Sequence, residues 1–212
     1  MTSSVIQCYP HAQADRGVIM EKHNMILAAE EQLAREVTLG RIVKRPMAVW
    51  SYLIPGMFII DYLRRGSAIR LYTKHFMFPR NLALNMARSM FGVTEKKIET
   101  SQISKDISTG LQSLKLDSPN IQKALEKIVH LLADHYLKLI KSEGNDYCQL
   151  IRNTYQNRRA FQSHLDLLMD AEQEAARAIL EKLGDTEKVR EKLSIERQQI
   201  EMRRQNLAGE IF

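Results

Sequence analysis

Ser118-Pro119-Asn120-Ile121-Gln122-Lys123-Ala124-Leu125-Glu126-Lys127-Ile128-Val129-His130-Leu131-Leu132 opens the stretch whose pattern decides the fold. Ser118-Pro119 joins a favoured N-cap type to a proline suited to a first helical turn. Behind it Ile121, Leu125, Ile128, Leu132 and Leu139 return every three or four residues or at multiples of that step, the stripe of one helix face. Gly144 ends that helix. Asn145-Asp146 then supplies a cap for a second helix, expected to run unbroken through Leu150, Ile151, Phe161, Leu165, Leu168, Ala175 and Ile179 to Leu183. So short a connection makes the pair a long antiparallel αα-hairpin.

The same period extends outward in both directions. Ile26, Ala29, Leu33 and Val37 predict a helix from about Met20 to Lys44, closed by Pro46. Gly66 is expected to break the chain before a short helix carrying Ile69, Tyr72 and Phe76, and Phe78-Pro79 to start another carrying Leu82, Met86 and Met90. Thr94-Glu95 opens a helix with Ile98, Ile103, Ile107, Leu111 and Leu114. After Gly184-Asp185, Thr186, Leu193, Ile200 and Leu207 recur every seven residues, but the matching d positions are Val189, Glu196 and Arg203. Half a heptad pattern implies a solvated helix lying along the body, with a partner-binding arm as the alternative. No run of period two is present. The expected fold is all-α, a helical bundle. It divides into a flexible tail (1–19), a basic, apolar region (20–92), a helical body (93–184) and a polar C-terminal helix (185–212).

Charge is placed unevenly. The whole chain of 212 residues has a net charge of +6, yet Arg41 to Arg88 holds nine basic residues against Asp61 alone, a net of +8. Such asymmetry points to an anionic partner. Inside that stretch, Pro46-Met47-Ala48-Val49-Trp50-Ser51-Tyr52-Leu53-Ile54-Pro55-Gly56-Met57-Phe58-Ile59-Ile60 is an uncharged run of fifteen, bracketed by Lys44-Arg45 and Arg64-Arg65 and interrupted by Pro55-Gly56. A helical crossing wants about 20 apolar residues, and a run of about 10–14 more often means a core or re-entrant segment. This run straddles that boundary and, with its Pro-Gly break, is expected to form a broken apolar helical hairpin entering a membrane from one side. A true crossing is the lesser membrane reading. Basic flanks at both ends put both on the cytoplasmic side, near anionic headgroups. Trp50, Tyr52, Leu53, Ile54, Met57, Phe58 and Ile59 are the expected membrane contacts. Lys44, Arg45, Arg64, Arg65, Arg70 and Lys74 are the expected headgroup or partner contacts. The alternatives are a buried hairpin in a soluble core, and an acidic protein or nucleic acid bound through the basic 41–88 face. For nucleic acid, Arg64, Arg65, Arg70, Lys74, His75 and Arg80 would meet phosphates, and Tyr72, Phe76 and Phe78 would stack.

Lys44-Arg45-Pro46, Val49-Trp50, Leu53-Ile54-Pro55 and Met57-Phe58 resemble the signature stretch of an uncharacterised bacterial helical protein family, over roughly Ala28 to Ala87. The resemblance implies no activity and no catalytic residues.

Chemical motifs are missing. There is no Glu-x-x-His pair for a di-iron bundle, no phosphate-binding glycine loop and no nucleophile elbow. His130, Asp134 and His135 share a helix face, and His164 precedes Asp170, but each reads as an ordinary surface or boundary set. Cys8 and Cys148 stand apart without metal or disulfide spacing, and Cys148 is expected to be a small buried hydrophobe. No secretory leader pattern follows Met1, and Met20 is a second candidate start, so a cytosol-facing location is expected. The expectation is therefore a non-enzymatic interaction platform with no cofactor or metal, held peripherally at the cytoplasmic face of a membrane. The C-terminal helix is available to a protein partner.

Overall fold

The computed structural model describes residues 11–43, 57–91, 100–114, 116–184 and 186–212, with side chains for all of these except 11–16, 40–43, 57–68, 100, 188 and 192. Among the described residues there are seven helices and no strand: α1 (His11–Val43), α2 (Met57–Phe91), α3 (Thr100–Ser113), α4 (Pro119–Lys141), α5 (Tyr147–Tyr155), α6 (Arg158–Leu183) and α7 (Glu187–Ile211). The chain is an all-α helical bundle.

Helix α4 is its centre, packing on α2 and α6 and also on α1, α3 and α5. Ile121, Ile128, Leu132 and Leu139 of the expected stripe are buried; Val129, Ala133, Tyr136 and Ile140 widen it, because α4 is covered on several sides. On α6, Phe161, Leu165, Leu168, Ala171, Ala175 and Ala178 are buried, so the two arms close an apolar seam. Their turn is tight: a Cβ on Gly144 would lie 3.0 Å from the Leu150 amide nitrogen. Asp146 then caps α5 by accepting from the Gln149 amide at 2.8 Å. At the other end of α4, Ser118 holds the N-cap position without a side-chain cap bond.

Several boundaries differ from the periodic reading. The second hairpin arm is not one helix. Gln156 turns it left-handed at φ 61°, and Asn157 starts α6 by accepting from the Ala160 amide at 2.9 Å. Helix α1 starts at His11, nine residues before the expected start at Met20 and inside the expected tail, since a lone Gly17 is tolerated in a helix. Helix α2 continues through both Gly66 and Pro79. Pro79 leaves the His75 carbonyl without its amide and disturbs the next one, and the Arg80 guanidinium donates to the neighbouring Phe76 carbonyl at 3.1 Å. Helix α3 begins at Thr100; Thr94, Glu95 and Ile98 lie outside the described residues, as do Pro46 to Gly56 of the expected hairpin. In α3, Gly110 meets the Phe78 ring so closely that a Cβ would come within 2.5 Å of it.

Helix α7 lies along α1, α6 and α5. Ile200 is buried, Leu193 and Leu207 are half-buried, and Ala208 and Ile211 complete its inner face. Its end is fastened by Arg152, whose Nε and Nη2 donate to the Ile211 carbonyl at 3.0 and 2.6 Å. Contacts fix the directions. Glu30 pairs with Arg80 while Val37 clusters with Phe76; Lys127 pairs with Glu174 while Asn120 meets Glu181; and α7, starting four residues after α6 ends, returns to pair Arg204 with Glu172. Hence α1 and α2, α6 and α7, and α4 and α6 are each antiparallel. Val43, Met57, Pro119, Leu183 and Glu187 all point to one end of the bundle, its pole.

Candidate functional site

Two features can carry function: the pole and a groove beside it. Of the residues expected at a membrane or an anion, Lys44, Arg45, Trp50, Tyr52, Leu53 and Ile54 lie outside the described residues. Met57, Phe58, Ile59, Arg64 and Arg65 fall on the first turns of α2, with side chains that are not described. Arg70 and Lys74 are exposed further along the same helix. Arg80 is not available to a phosphate. It is 4% exposed and sits in an ion cluster, and Phe76 is buried beneath it with the guanidinium 3.7 Å from the ring centroid. Taking those two out of the nucleic-acid set corrects the sequence expectation. Spacing could not separate a solvated arginine from one whose acids come from distant helices.

The cluster links four helices. Arg80 Nε donates to Glu30 of α1 at 2.9 Å and Nη2 approaches Glu172 of α6 at 3.5 Å. Arg204 of α7 grips the same Glu172 through two parallel bonds of 2.7 and 2.8 Å. Burial alone would depress the Arg80 guanidinium, but Glu30 and Glu172 overcome it and hold the group more firmly charged than usual. For Glu172, burial pushes upward and the two arginines outweigh it, leaving the carboxyl below its ordinary value. Two cations and two anions make the cluster neutral. Tyr136 lies in its field, the hydroxyl raised well above the ordinary phenol by burial and then by Glu30, without a well-formed hydrogen bond among the described residues.

Over this cluster α2, α4, α6 and α7 leave a groove of about 630 Å³. Its walls are chiefly apolar, with Phe78 and Pro79 from α2, Leu125 and Ile128 from α4, Leu165 and Ile179 from α6, and Leu193 from α7. That volume is within the range of about 300–1,000 Å³ typical of ligand sites. Arginines 177 and 197 are exposed on its lip. From the Glu172–Arg204 pair they stand five and seven residues toward the pole, about 8 and 11 Å at 1.5 Å per residue. The only sequence hint of this groove was the missing half of the α7 heptad, where Glu196 and Arg203 replace apolar d residues.

A second buried polar group sits across α4, α5 and α6. The His135 ring stacks on His164 with centroids 4.5 Å apart, and its Nδ1 is 2.7 Å from the Tyr155 hydroxyl. His135 is 5% exposed, which corrects its reading as a surface or boundary residue. Burial, then the neighbouring His164, Lys138 and Arg204, pushes His135 well below its ordinary value, and His164 falls to about 4 for the same kind of reason. The pair is held neutral and completes a polar layer in the core. Cys148 is half-buried and free, its thiol pushed up by burial and then by Asp146 and Glu210. Among the described residues no three of His, Cys, Asp or Glu group as metal ligands. Comparison with protein-family models, curated proteins and solved structures returns no match.

Proposed function

We propose that the protein is a peripheral membrane-associated helical platform that meets an anionic, cytosol-facing lipid surface through residues 46–63. The supporting observation is where that segment attaches. It joins the end of α1 to the start of α2, both at the pole. From Arg80, level with Glu172 and Arg204, α2 continues 23 residues to Met57, about 35 Å. Over the same direction α6 has 11 residues left to Leu183, about 17 Å, and α7 has 17 to Glu187, about 26 Å. Helix α2 therefore outruns its neighbours and leads into the apolar run Pro46–Ile60. Arg70 and Lys74 add exposed positive charge along the way. No described helix is long and apolar enough to cross a membrane.

Vesicle flotation tests the proposal. Replacing Lys44, Arg45, Arg64 and Arg65 together by Gln removes four cations worth about 1 kcal/mol each near an anionic leaflet. Binding to anionic vesicles is expected to fall about a hundredfold or more, with binding to neutral vesicles little changed. Trp50→Ala with Phe58→Ser should weaken both. A folded wild-type protein that floats with neither kind of vesicle refutes membrane attachment and assigns the basic strip to an acidic protein or nucleic acid.

A further inference from the structure

We infer that the groove between α2, α6 and α7 is a binding site for a free single-chain anionic amphiphile, such as a fatty acid monomer. Volume narrows the occupant first. At about 630 Å³ the groove falls in the range of small-ligand sites, about 300–1,000 Å³. An acyl chain needs only a narrow apolar channel. The walls supply one, because Phe78, Leu125, Ile128, Leu165, Ile179 and Leu193 come from four helices and converge on it.

The polar floor does not compete for the ligand's charge. Arg80, Glu30, Glu172 and Arg204 satisfy one another, so the buried cluster offers a tail neutral, filled surface. An anionic head must instead meet the lip. There Arg177 and Arg197 stand within about 3 Å of the same level along the paired helices, and among the described residues neither enters a salt bridge with a carboxylate. Arg177 from α6 and Arg197 from α7 thus bring two guanidinium groups to one level of the groove, and the planar fork suits a carboxylate or phosphate head. Of the acids on the groove wall, Asp166 is six residues from Glu172 away from the pole and accepts from Gln162 at 2.9 Å, and Glu201, one turn from Arg197, accepts from Gln205 at 3.4 Å; Arg177 lies in the field of Glu174 outside the groove. Arg190 and Glu196 also line the groove, and each has an interaction of its own. The head is therefore placed at the polar end and the tail along α4 toward Leu165.

This site does not depend on membrane attachment, and its test uses no vesicles. Calorimetric titration of the full chain with dodecanoate, below micelle concentration, should give one site per chain, with dodecanol as the neutral control binding more weakly. Arg177→Gln with Arg197→Gln should weaken dodecanoate by about tenfold to a hundredfold and leave dodecanol unchanged. Ala176→Phe, on the wall, should remove both ligands; if that variant does not fold, Leu193→Arg on the facing wall serves the same purpose. Absence of dodecanoate binding by the folded wild type overturns the site. So does binding at many sites that the wall variants do not touch, or equal affinity for acid and alcohol.

Discussion

Helix α6 faces two neighbours in opposite ways. Toward α4 it presents Phe161, Leu168 and Ala171, all buried, in one apolar cluster with Leu132 and Ala133. Toward α2 and α7 it presents Glu172, held by Arg80 and Arg204, under a groove of about 630 Å³. Apolar side chains interdigitate without regard to direction, and the first seam is filled by them. Ion pairs demand particular distances and angles instead, and their helices stand where the guanidinium groups reach. Space is left over on that side. The bundle thus joins a closed seam to an open one, and ligand capacity belongs to the open one.

The largest expected effect breaks the open seam. Arg80→Ala strands Glu30, whose side chain is 9% exposed, and removes one of the two partners of Glu172. Loss of one partner from a buried pair costs about 3–5 kcal/mol, because an uncompensated charge stays buried. Leu132→Ala in the closed seam costs about 2–5 kcal/mol through its cavity. Single losses of similar size would not distinguish the seams; double variants do. Adding Glu30→Gln to Arg80→Met should recover most of the stability in urea unfolding, since the orphaned charge is gone and Arg204 still holds Glu172. Nothing added beside Leu132→Ala offers an equivalent rescue. If the double variant is no more stable than Arg80→Met alone, the stranded Glu30 charge is not what the loss of Arg80 costs.

The same contrast decides how much of each seam was legible in the sequence. The αα-hairpin was readable because burying a helix face needs apolar residues at helical spacing, and Ile121, Ile128, Leu132, Phe161, Leu165 and Leu168 obey that. Arg80 and Arg204 gave no such signal. Glu30 lies 50 residues from Arg80, and Glu172 lies 32 from Arg204, so only the fold brings them together. His135 is hidden in the sequence for the same reason: its partners Tyr155 and His164 come from two later helices. At the pole, the sequence marked the apolar run and its basic brackets, while the groove behind it needed four helices to exist.

Acid should loosen the polar layer of the closed seam next. Both rings are neutral in the fold, whereas the unfolded chain takes up protons near pH 6.5. Their contribution is therefore complete above about 6.5 and is lost as pH falls toward about 4, the value for His164. That shift corresponds to about 3 kcal/mol at most. Glu172 adds to the loss lower down, since its carboxyl is depressed in the fold and its contribution disappears as the pH drops through that range. Thermal unfolding between pH 7 and 4 should show Tm falling, and His164→Phe should flatten the upper part of the curve. An unchanged slope in that variant assigns the acid sensitivity to other groups.

The smallest expected effect concerns why the second hairpin arm is broken. Gln156 adopts φ 61°, where a Cβ crowds the backbone, at a cost of about 1–2 kcal/mol relative to an ordinary helical residue. Nothing in its side chain marks a break; the neighbouring Asn157 and the helix it starts impose one. Asn157 caps α6, and the left-handed turn lets α5 end with its Gln156 amide on the Arg152 carbonyl at 2.8 Å. The offset swings Tyr155 toward His135 and frees Arg152 to hold Ile211. Gln156→Gly relieves the crowding but gives the unfolded chain more freedom, and these partly cancel. A net gain of about 0.5–1 kcal/mol is expected, a Tm rise of a degree or two in a chain of this size. Gln156→Ala retains the Cβ and should gain nothing. A gain from alanine equal to that from glycine would mean the segment straightens into the single helix its apolar period suggests, and the His135–Tyr155 contact would then be lost with the turn.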